Sequence, residues 1–66
     1  MRVDLYETTA DLDTPIALGV DKKTATTMLA SNILSKLEHG GIRTFEISDA
    51  ETYEVLGRMT FTAERS

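Results

Sequence analysis

The chain has 66 residues, one histidine, no cysteine, 41% hydrophobic residues and a formal net charge of −4. This length predicts a single small domain, 1–66, because domains usually need roughly 50 to 200 residues. Disulfides are excluded, and one histidine without thiolates cannot complete a four-ligand zinc site. We predict no metal and no cofactor, and we expect so small a core to gain from self-association or from a larger partner.

The acidic residues are unevenly distributed along the chain. Residues 1–21 hold five acids and one base, whereas residues 22–66 hold six of each. Such a surface repels phosphate backbones, which disfavours direct nucleic-acid binding. The N-terminal residues lack the pattern of a signal peptide, and no apolar stretch approaches the roughly 20 residues that cross a bilayer. We therefore expect a cytoplasmic protein without membrane contact.

The first predicted element is a strand over residues 2–8, where apolar and polar side chains alternate. Residues 10–14 are polar, and Pro15 restricts the residue before it, which indicates a turn. Residues 16–20 alternate again. Two interpretations remain open for them, a short second strand or an extended arm, and Gly19 weakens the strand interpretation.

A helix is predicted over residues 22–38. Asp21 is a suitable N-cap, and Gly40 is suited to end the helix in the left-handed conformation. At 100° per residue, the side chains that share one side, and are expected to be buried, are Thr26, Leu29, Ala30, Ile33, Leu34 and Leu37. Met28 is expected to project from the opposite, polar side.

The last third of the chain, residues 42–64, admits two interpretations. Residues 48–51 have the form of a capping box, which would start a short helix through Leu56. Residues 52–64 alternate between apolar and polar side chains, as a strand does and a helix does not. The alternation favours a hairpin.

The register of this hairpin follows from which side chains must share a face. Without a bulge, two registers keep the apolar residues together. One of them places two glutamates opposite each other, which is destabilising. We therefore predict that Ile47 pairs with Val55 and that Phe45 pairs with Gly57.

These elements predict an α+β fold, a small two-layer sandwich with one helix packed on a three- or four-stranded, mainly antiparallel sheet in the chain order β-(β)-α-β-β. The sheet residues expected to face the helix are Val3, Leu5, Phe45, Ile47, Val55, Met59 and Phe61. Those expected on the uncovered face are Tyr6, Ile42, Thr44, Glu46, Leu56, Arg58 and Thr60. Tyr6, Ile42 and Leu56 are predicted to form one patch, with a composition typical of an interface core.

The sequence shows no catalytic constellation, and we predict that the protein is not an enzyme. His39 lies beside two glycines and has no recognisable nucleophile near it. Asp11 and Asp13 open like a calcium loop, but Ile16 and Lys22 occupy the positions that require glycine and glutamate. No family resemblance is specific enough to name.

The first functional hypothesis is a non-enzymatic protein-interaction module. It would bind itself or a larger protein through the uncovered sheet face, with Tyr6, Ile42, Leu56 and Arg58 in contact with the partner. Small size and the missing active site motivate this hypothesis.

The alternative is an acidic inhibitor of the kind that phages make against host defence, including anti-CRISPR-like proteins. It would imitate nucleic acid and block a basic nucleic-acid-binding protein. Its support is the negative charge of residues 1–21, together with Asp49, Glu51 and Glu54. Glu7, Asp11 and Asp13 would carry the binding, and they are expected to be solvated at a strand end and in a loop. Salt separates the two hypotheses, because only charge-dominated binding weakens steeply with ionic strength.

Overall fold

The computed structural model describes residues 1–63, except for the side chains of Leu37 and Ala63. The predictions for the Leu37 side chain and for residue 64 lie outside this description. The elements are β1 (Arg2–Thr8), β2 (Asp13–Asp21), α1 (Lys22–Lys36), a 3-10 turn (Leu37–His39), β3 (Gly41–Asp49) and β4 (Val55–Ala63). The strands form one antiparallel sheet in the order β2-β1-β3-β4. The predicted α+β fold is confirmed, with four strands.

The segment that the sequence left open is an edge strand. Pro15 is tolerated in β2 because an edge position does not need its missing N–H. The register of β2 against β1 shifts twice, which marks two bulges. At one bulge Gly19 has a φ of 63°, and its N–H donates a 2.8 Å hydrogen bond to the buried carboxylate of Asp4. The bulge therefore supplies a partner for a buried charge.

The helix begins at the predicted residue, and α1 ends at Lys36, two residues before the predicted end, where a 3-10 turn follows. Asp21 Oδ1 accepts a 2.7 Å hydrogen bond from the backbone N–H of Thr24, as an N-cap does. This bond holds the pKa of Asp21 below its ordinary value. After the 3-10 turn the chain leaves the helix at Gly40, which has a φ of 67°. In residues 1–63 no helix has the length and apolar character needed to cross a membrane.

The buried face of α1 differs from the predicted one. Ala25 and Leu29 are buried, and Met28 and Ile33 pack against the core. Leu34, predicted to be buried, is 66% exposed. Two further members of the predicted face, Thr26 and Ala30, are also exposed. At 100° per residue the buried stripe is turned by roughly 90° from the predicted one.

The physical reason is that apolar side chains occur on more than one side of α1. Leu34 lies roughly opposite Ala25 around the helix axis, so hydrophobicity alone does not select a side. The distance between packed elements depends on the side chains at the contact, and Ala25 is small enough for the helix to lie close to the sheet. Close approach lets Leu29 reach the core that Leu5 and Phe45 form.

The core is small and lies under α1. Its buried members are Leu5, Ala17, Leu29 and Phe45. Partly buried apolar side chains that pack against them are Ile16, Val20, Met28, Ile33, Ile47 and Phe61. The rings of Phe45 and Phe61 meet edge to face, with centroids 6.1 Å apart. The helix lies over β1 and β2, and the 3-10 turn after it approaches β4.

The hairpin is confirmed, but its register differs from the predicted one. Phe45 pairs with Met59 and Ile47 pairs with Gly57, so both predicted pairs are wrong by two residues. The predicted pairs assume that the hairpin has no bulge. The structure has one, because Leu56 has no partner between the rungs on either side of it.

The bulge changes which face of the sheet the side chains at the start of β4 occupy. Val55 pairs with Ser48, which lies on the face away from α1, and so the prediction that Val55 faces the helix is wrong. The same register places Arg58 opposite Glu46. Arg58 Nε and Nη2 donate hydrogen bonds of 3.1 and 2.6 Å to Glu46 Oε2. An opposite-charge pair therefore stabilises the observed register.

The helix packing predicts different outcomes for two leucine truncations. We expect Leu29→Ala to lower the free energy of unfolding by about 2 to 5 kcal/mol, because it empties a buried site. Leu34→Ala should change it by less than about 0.5 kcal/mol, because that side chain is exposed. Urea unfolding followed by circular dichroism measures both. A larger loss for Leu34→Ala than for Leu29→Ala would show that the face of α1 predicted from the sequence is the buried one.

Candidate functional site

The sheet face turned away from α1, here called the open face, is built from cross-strand rows. The central row consists of Pro15, Tyr6, Glu46 and Arg58. The next row consists of Asp13, Thr8, Thr44 and Thr60. The hydroxyl oxygens of Thr44 and Thr60 are 3.0 Å apart and share a hydrogen bond. The middle of the open face is therefore largely polar.

The structure does not bring the predicted patch on this face together. Ile42 pairs with Thr62 near one end of β4, and Leu56 lies near the other end. Six residues of strand separate those positions, a distance of about 20 Å. Tyr6 is half-buried in the central row, and the ion pair of that row lies between it and Leu56. Arg58 is thus engaged with Glu46 in its own chain.

Exposed apolar side chains instead cluster where the β3–β4 hairpin turns. Val55 is 50% exposed and Leu56 is 46% exposed, at the bulge that opens β4. Tyr53, two residues before the strand, is 76% exposed. We call Tyr53, Val55 and Leu56 the apolar tip. Three exposed apolar side chains within four residues of chain can form one contact surface.

Hydrogen bonds fix the backbone of this turn. Asp49 Oδ1 accepts bonds of 2.8 and 3.2 Å from the N–H groups of Glu51 and Thr52, and these bonds lower the pKa of Asp49. The Asp49 N–H donates to the carbonyl of Glu54, and the Tyr53 N–H donates to the carbonyl of Asp49, both over 2.8 Å. The capping-box pattern was a sign of this turn, since an aspartate bonded to backbone N–H groups can begin a turn as well as a helix.

Tyr53 adopts a backbone conformation that costs free energy. Its φ is 63°, and it is the residue other than glycine with a positive φ among residues 1–63. The left-handed conformation costs an L-residue roughly 1 to 2 kcal/mol. A bulky residue retained there without burial is an indication of function, because strain of this kind concentrates at functional sites. Tyr53 was not among the predicted site residues, because the alternation of side chains predicts it as one residue of a strand.

The conformation of Tyr53 predicts that the residue can be replaced with a gain in stability. Glycine enters the left-handed region without strain but loses more chain entropy on folding. We expect Tyr53→Gly to leave the free energy of unfolding unchanged or to raise it by up to about 1 kcal/mol. Thermal and urea unfolding provide the measurement. A loss above about 1 kcal/mol would show that the tyrosine side chain holds the fold rather than serving a surface role.

Glu7 does not lie where the sequence placed it. Glu7 is only 8% exposed and lies on the face of the sheet that α1 covers. Glu7 forms ion pairs with Lys36 and with Arg43, the latter over 3.0 Å. The hydrogen bond from Lys36 is the main cause that lowers the pKa of Glu7, and burial opposes it. The strand alternation contained the signal, because Glu7 has the same parity as Leu5.

The acids of the two sheet turns do not lie side by side. Asp11 and Asp13 are exposed at the β1–β2 turn, whereas Glu51 and Glu54 are exposed at the β3–β4 turn. These turns lie at opposite ends of β1 because the sheet register is antiparallel throughout. Within the described part of the chain, no three His, Asp or Glu side chains are placed to hold a metal ion.

The ion pairs of Glu7 predict an acid-dependent loss of stability. Because its pKa is lowered on folding, ionised Glu7 stabilises the fold above its unfolded-state value near 4.5. This contribution disappears as the pH falls through the lower folded-state pKa. We expect Glu7→Gln to cost about 1.5 to 3 kcal/mol at pH 7, and the difference from the parent protein to shrink below pH 4.5.

The matched control is Asp11→Asn, which removes the same charge from an exposed position. It should change the free energy of unfolding by less than about 0.5 kcal/mol. Urea unfolding between pH 2.5 and 7 compares the three proteins. Asp21 and Asp49, whose pKa values are also lowered, should preserve part of the acid dependence in Glu7→Gln. Identical pH profiles for parent and Glu7→Gln would contradict the role given to this carboxylate.

The chain matches no protein-family model, no curated protein and no solved structure. The apolar tip, the rows of the open face and the distribution of charge are the features that bear on function.

Proposed function

We propose that the chain is a non-enzymatic protein-interaction module that binds itself or a larger protein through the open face, with the apolar tip as its anchor. The observation that supports this proposal is the exposure of Tyr53, Val55 and Leu56 on a turn whose backbone is hydrogen-bonded. A few residues carry most of the free energy at protein interfaces, and tyrosine is among the commonest of them.

The turn also reduces what binding would cost. Ordering a flexible loop opposes association, and a segment already held in its bound conformation avoids much of that cost. The four hydrogen bonds that surround Asp49 hold the turn in one conformation. Tyr53 would then bring a large rigid side chain, with two rotatable bonds, to a partner surface.

Polar groups next to the apolar tip have the character of an interface rim. Arg58 is exposed, lies two residues beyond Leu56, and is already neutralised by Glu46. Tyr6 lies across the sheet in the same row as this ion pair. A polar, solvated rim around an apolar centre is the usual arrangement of a protein interface. Ile42, at the far end of the face, would contribute least.

The acidic-inhibitor alternative is less well supported by the charge distribution. Glu7 is committed to Lys36 and Arg43 and cannot also present a free carboxylate. Asp11 and Asp13 are exposed, but Glu51 and Glu54 lie at the opposite end of the sheet. A mimic of a phosphate backbone needs charges in a continuous series.

A pair of leucine variants tests the proposal. Leu56 belongs to the apolar tip, and Leu12 is a similarly exposed leucine at the opposite end of the sheet. The tagged protein is immobilised in lysate of the cell that carries the gene, supplemented with untagged copies of the chain, and retained proteins are quantified by mass spectrometry. We expect Leu56→Ser to reduce retention of a specific partner about tenfold or more, and Leu12→Ser to leave it unchanged.

Salt and charge reversal give the contrary outcome. Retention through apolar anchors should change by less than about twofold between 50 and 500 mM salt. A steep fall with salt, together with loss of retention in Asp11→Lys and Asp13→Lys but not in Leu56→Ser, would favour the acidic inhibitor and reject the proposal. Circular dichroism of each variant confirms that the fold is intact.

A further inference from the structure

The two edges of the sheet are protected to different degrees. An exposed strand edge can pair with another chain, and proteins usually block it with proline, bulges or charges. β2 has all three, with Pro15 inside the strand, two bulges, and Asp13 and Asp21 at its ends. β4 has one bulge at Leu56 and, from there to Thr62, no proline.

The unprotected length of β4 is also little charged and little covered. Arg58 is the charged residue between Val55 and Ala63, and its guanidinium binds Glu46 on the open face. On the other face, a Cβ added to Gly57 would meet no atom within 4 Å, and Met59 is exposed. Among residues 1–63, no strand pairs with the outer side of β4.

We propose that β4 pairs antiparallel with β4 of a second copy, across a two-fold axis, to form one continuous eight-stranded sheet. This inference rests on the proposed function and names its partner as a second copy of this chain. Antiparallel pairing of a strand with itself joins helix-side residues to helix-side residues, so both copies keep their faces aligned.

The charges of β4 favour a copy of itself as the occupant. Two registers keep the faces aligned. In one, the two-fold axis lies between the two Met59 residues and Arg58 faces Thr60 of the second copy. In the other, the axis lies between the two Thr60 residues and Arg58 faces Thr62 of the second copy. Both registers avoid opposing arginines, which would repel. No acidic residue lies between Val55 and Thr62, so β4 itself brings no carboxylate to the shared edge.

The area of this contact predicts a weak dimer. A nine-residue strand is about 30 Å long and a sheet about 10 Å thick, so the edge alone offers roughly 300 Å² per copy. Stable interfaces bury about 800 Å² per partner. With the side chains of the apolar tip added, we expect dissociation constants of about 10 to 100 μM.

Sedimentation equilibrium of the full chain between 5 μM and 1 mM provides the first measurement. The average mass should rise from 7.3 kDa towards twice that value. In Thr60→Lys, the introduced positive charge faces Arg58 of the second copy in one register and the same introduced charge in the other. This variant should therefore weaken dimerisation about tenfold or more. Thr14→Lys makes the same change on β2 and should have no effect.

Single cysteines identify the edge independently of charge, because the chain has no cysteine of its own. Residues that face each other across antiparallel strands have Cα atoms about 4.5 to 5.5 Å apart, within the range of a disulfide. Under mild oxidation we expect Met59→Cys or Thr60→Cys to form a disulfide-linked dimer, according to the register. Thr14→Cys should remain monomeric.

The outcomes separate this inference from the proposed function. A monomer of 7.3 kDa throughout would overturn the inference, and so would faster cross-linking through Thr14→Cys than through β4. If Leu56→Ser still abolishes retention of a different protein, the proposed function stands without self-pairing. A dimer that is weakened by Thr60→Lys and cross-linked through β4 supports both.

Discussion

One helix cannot cover a four-stranded sheet, and this constraint shapes the rest of the molecule. α1 has 15 residues, so it is about 22 Å long and about 10 Å wide, while four strands span roughly 19 Å. It can cover about two strands, and it lies over β1 and β2. The buried core therefore centres on β1, β2 and the neighbouring Phe45 of β3, and β4 is held mainly through its pairing with β3.

A charged group links the end of α1 to the sheet. Glu7 in β1 joins Lys36 in the last turn of α1 to Arg43 in β3, so three elements meet at one carboxylate. Burial disfavours the ionised form, but two cations favour it more, and the pKa of Glu7 is lowered. Ion pairs thus join the last turn of α1 to β1 and β3.

Local signals in the sequence were sufficient for the elements but not for how they pack. Asp21 and Gly40 act through their own backbone neighbours, so the start of α1 and the left-handed conformation of Gly40 could be predicted. The buried face of α1 could not, because Leu34 and Ala25 lie on opposite sides and the sheet decides between them. The hairpin register failed for a related reason. The register that follows the bulge at Leu56 contains a cross-strand ion pair that no single strand reveals. The apolar tip depends on that bulge, so it too was not predictable as a unit.

The placement of charge at the two ends of the sheet leaves its long edge available for contact. Asp11 and Asp13 lie beyond Thr8, and the acids of the β3–β4 turn lie beyond Val3, about 17 Å away along β1. That distance exceeds the screening length of about 8 to 10 Å at physiological salt. The two groups of acids therefore act as separate charges, and neither lies on the middle of β4, where two chains would meet. The acids at the two ends of the sheet would oppose end-to-end association of two chains, whereas the edge between Val55 and Thr62 carries no acidic residue that would oppose side-by-side pairing.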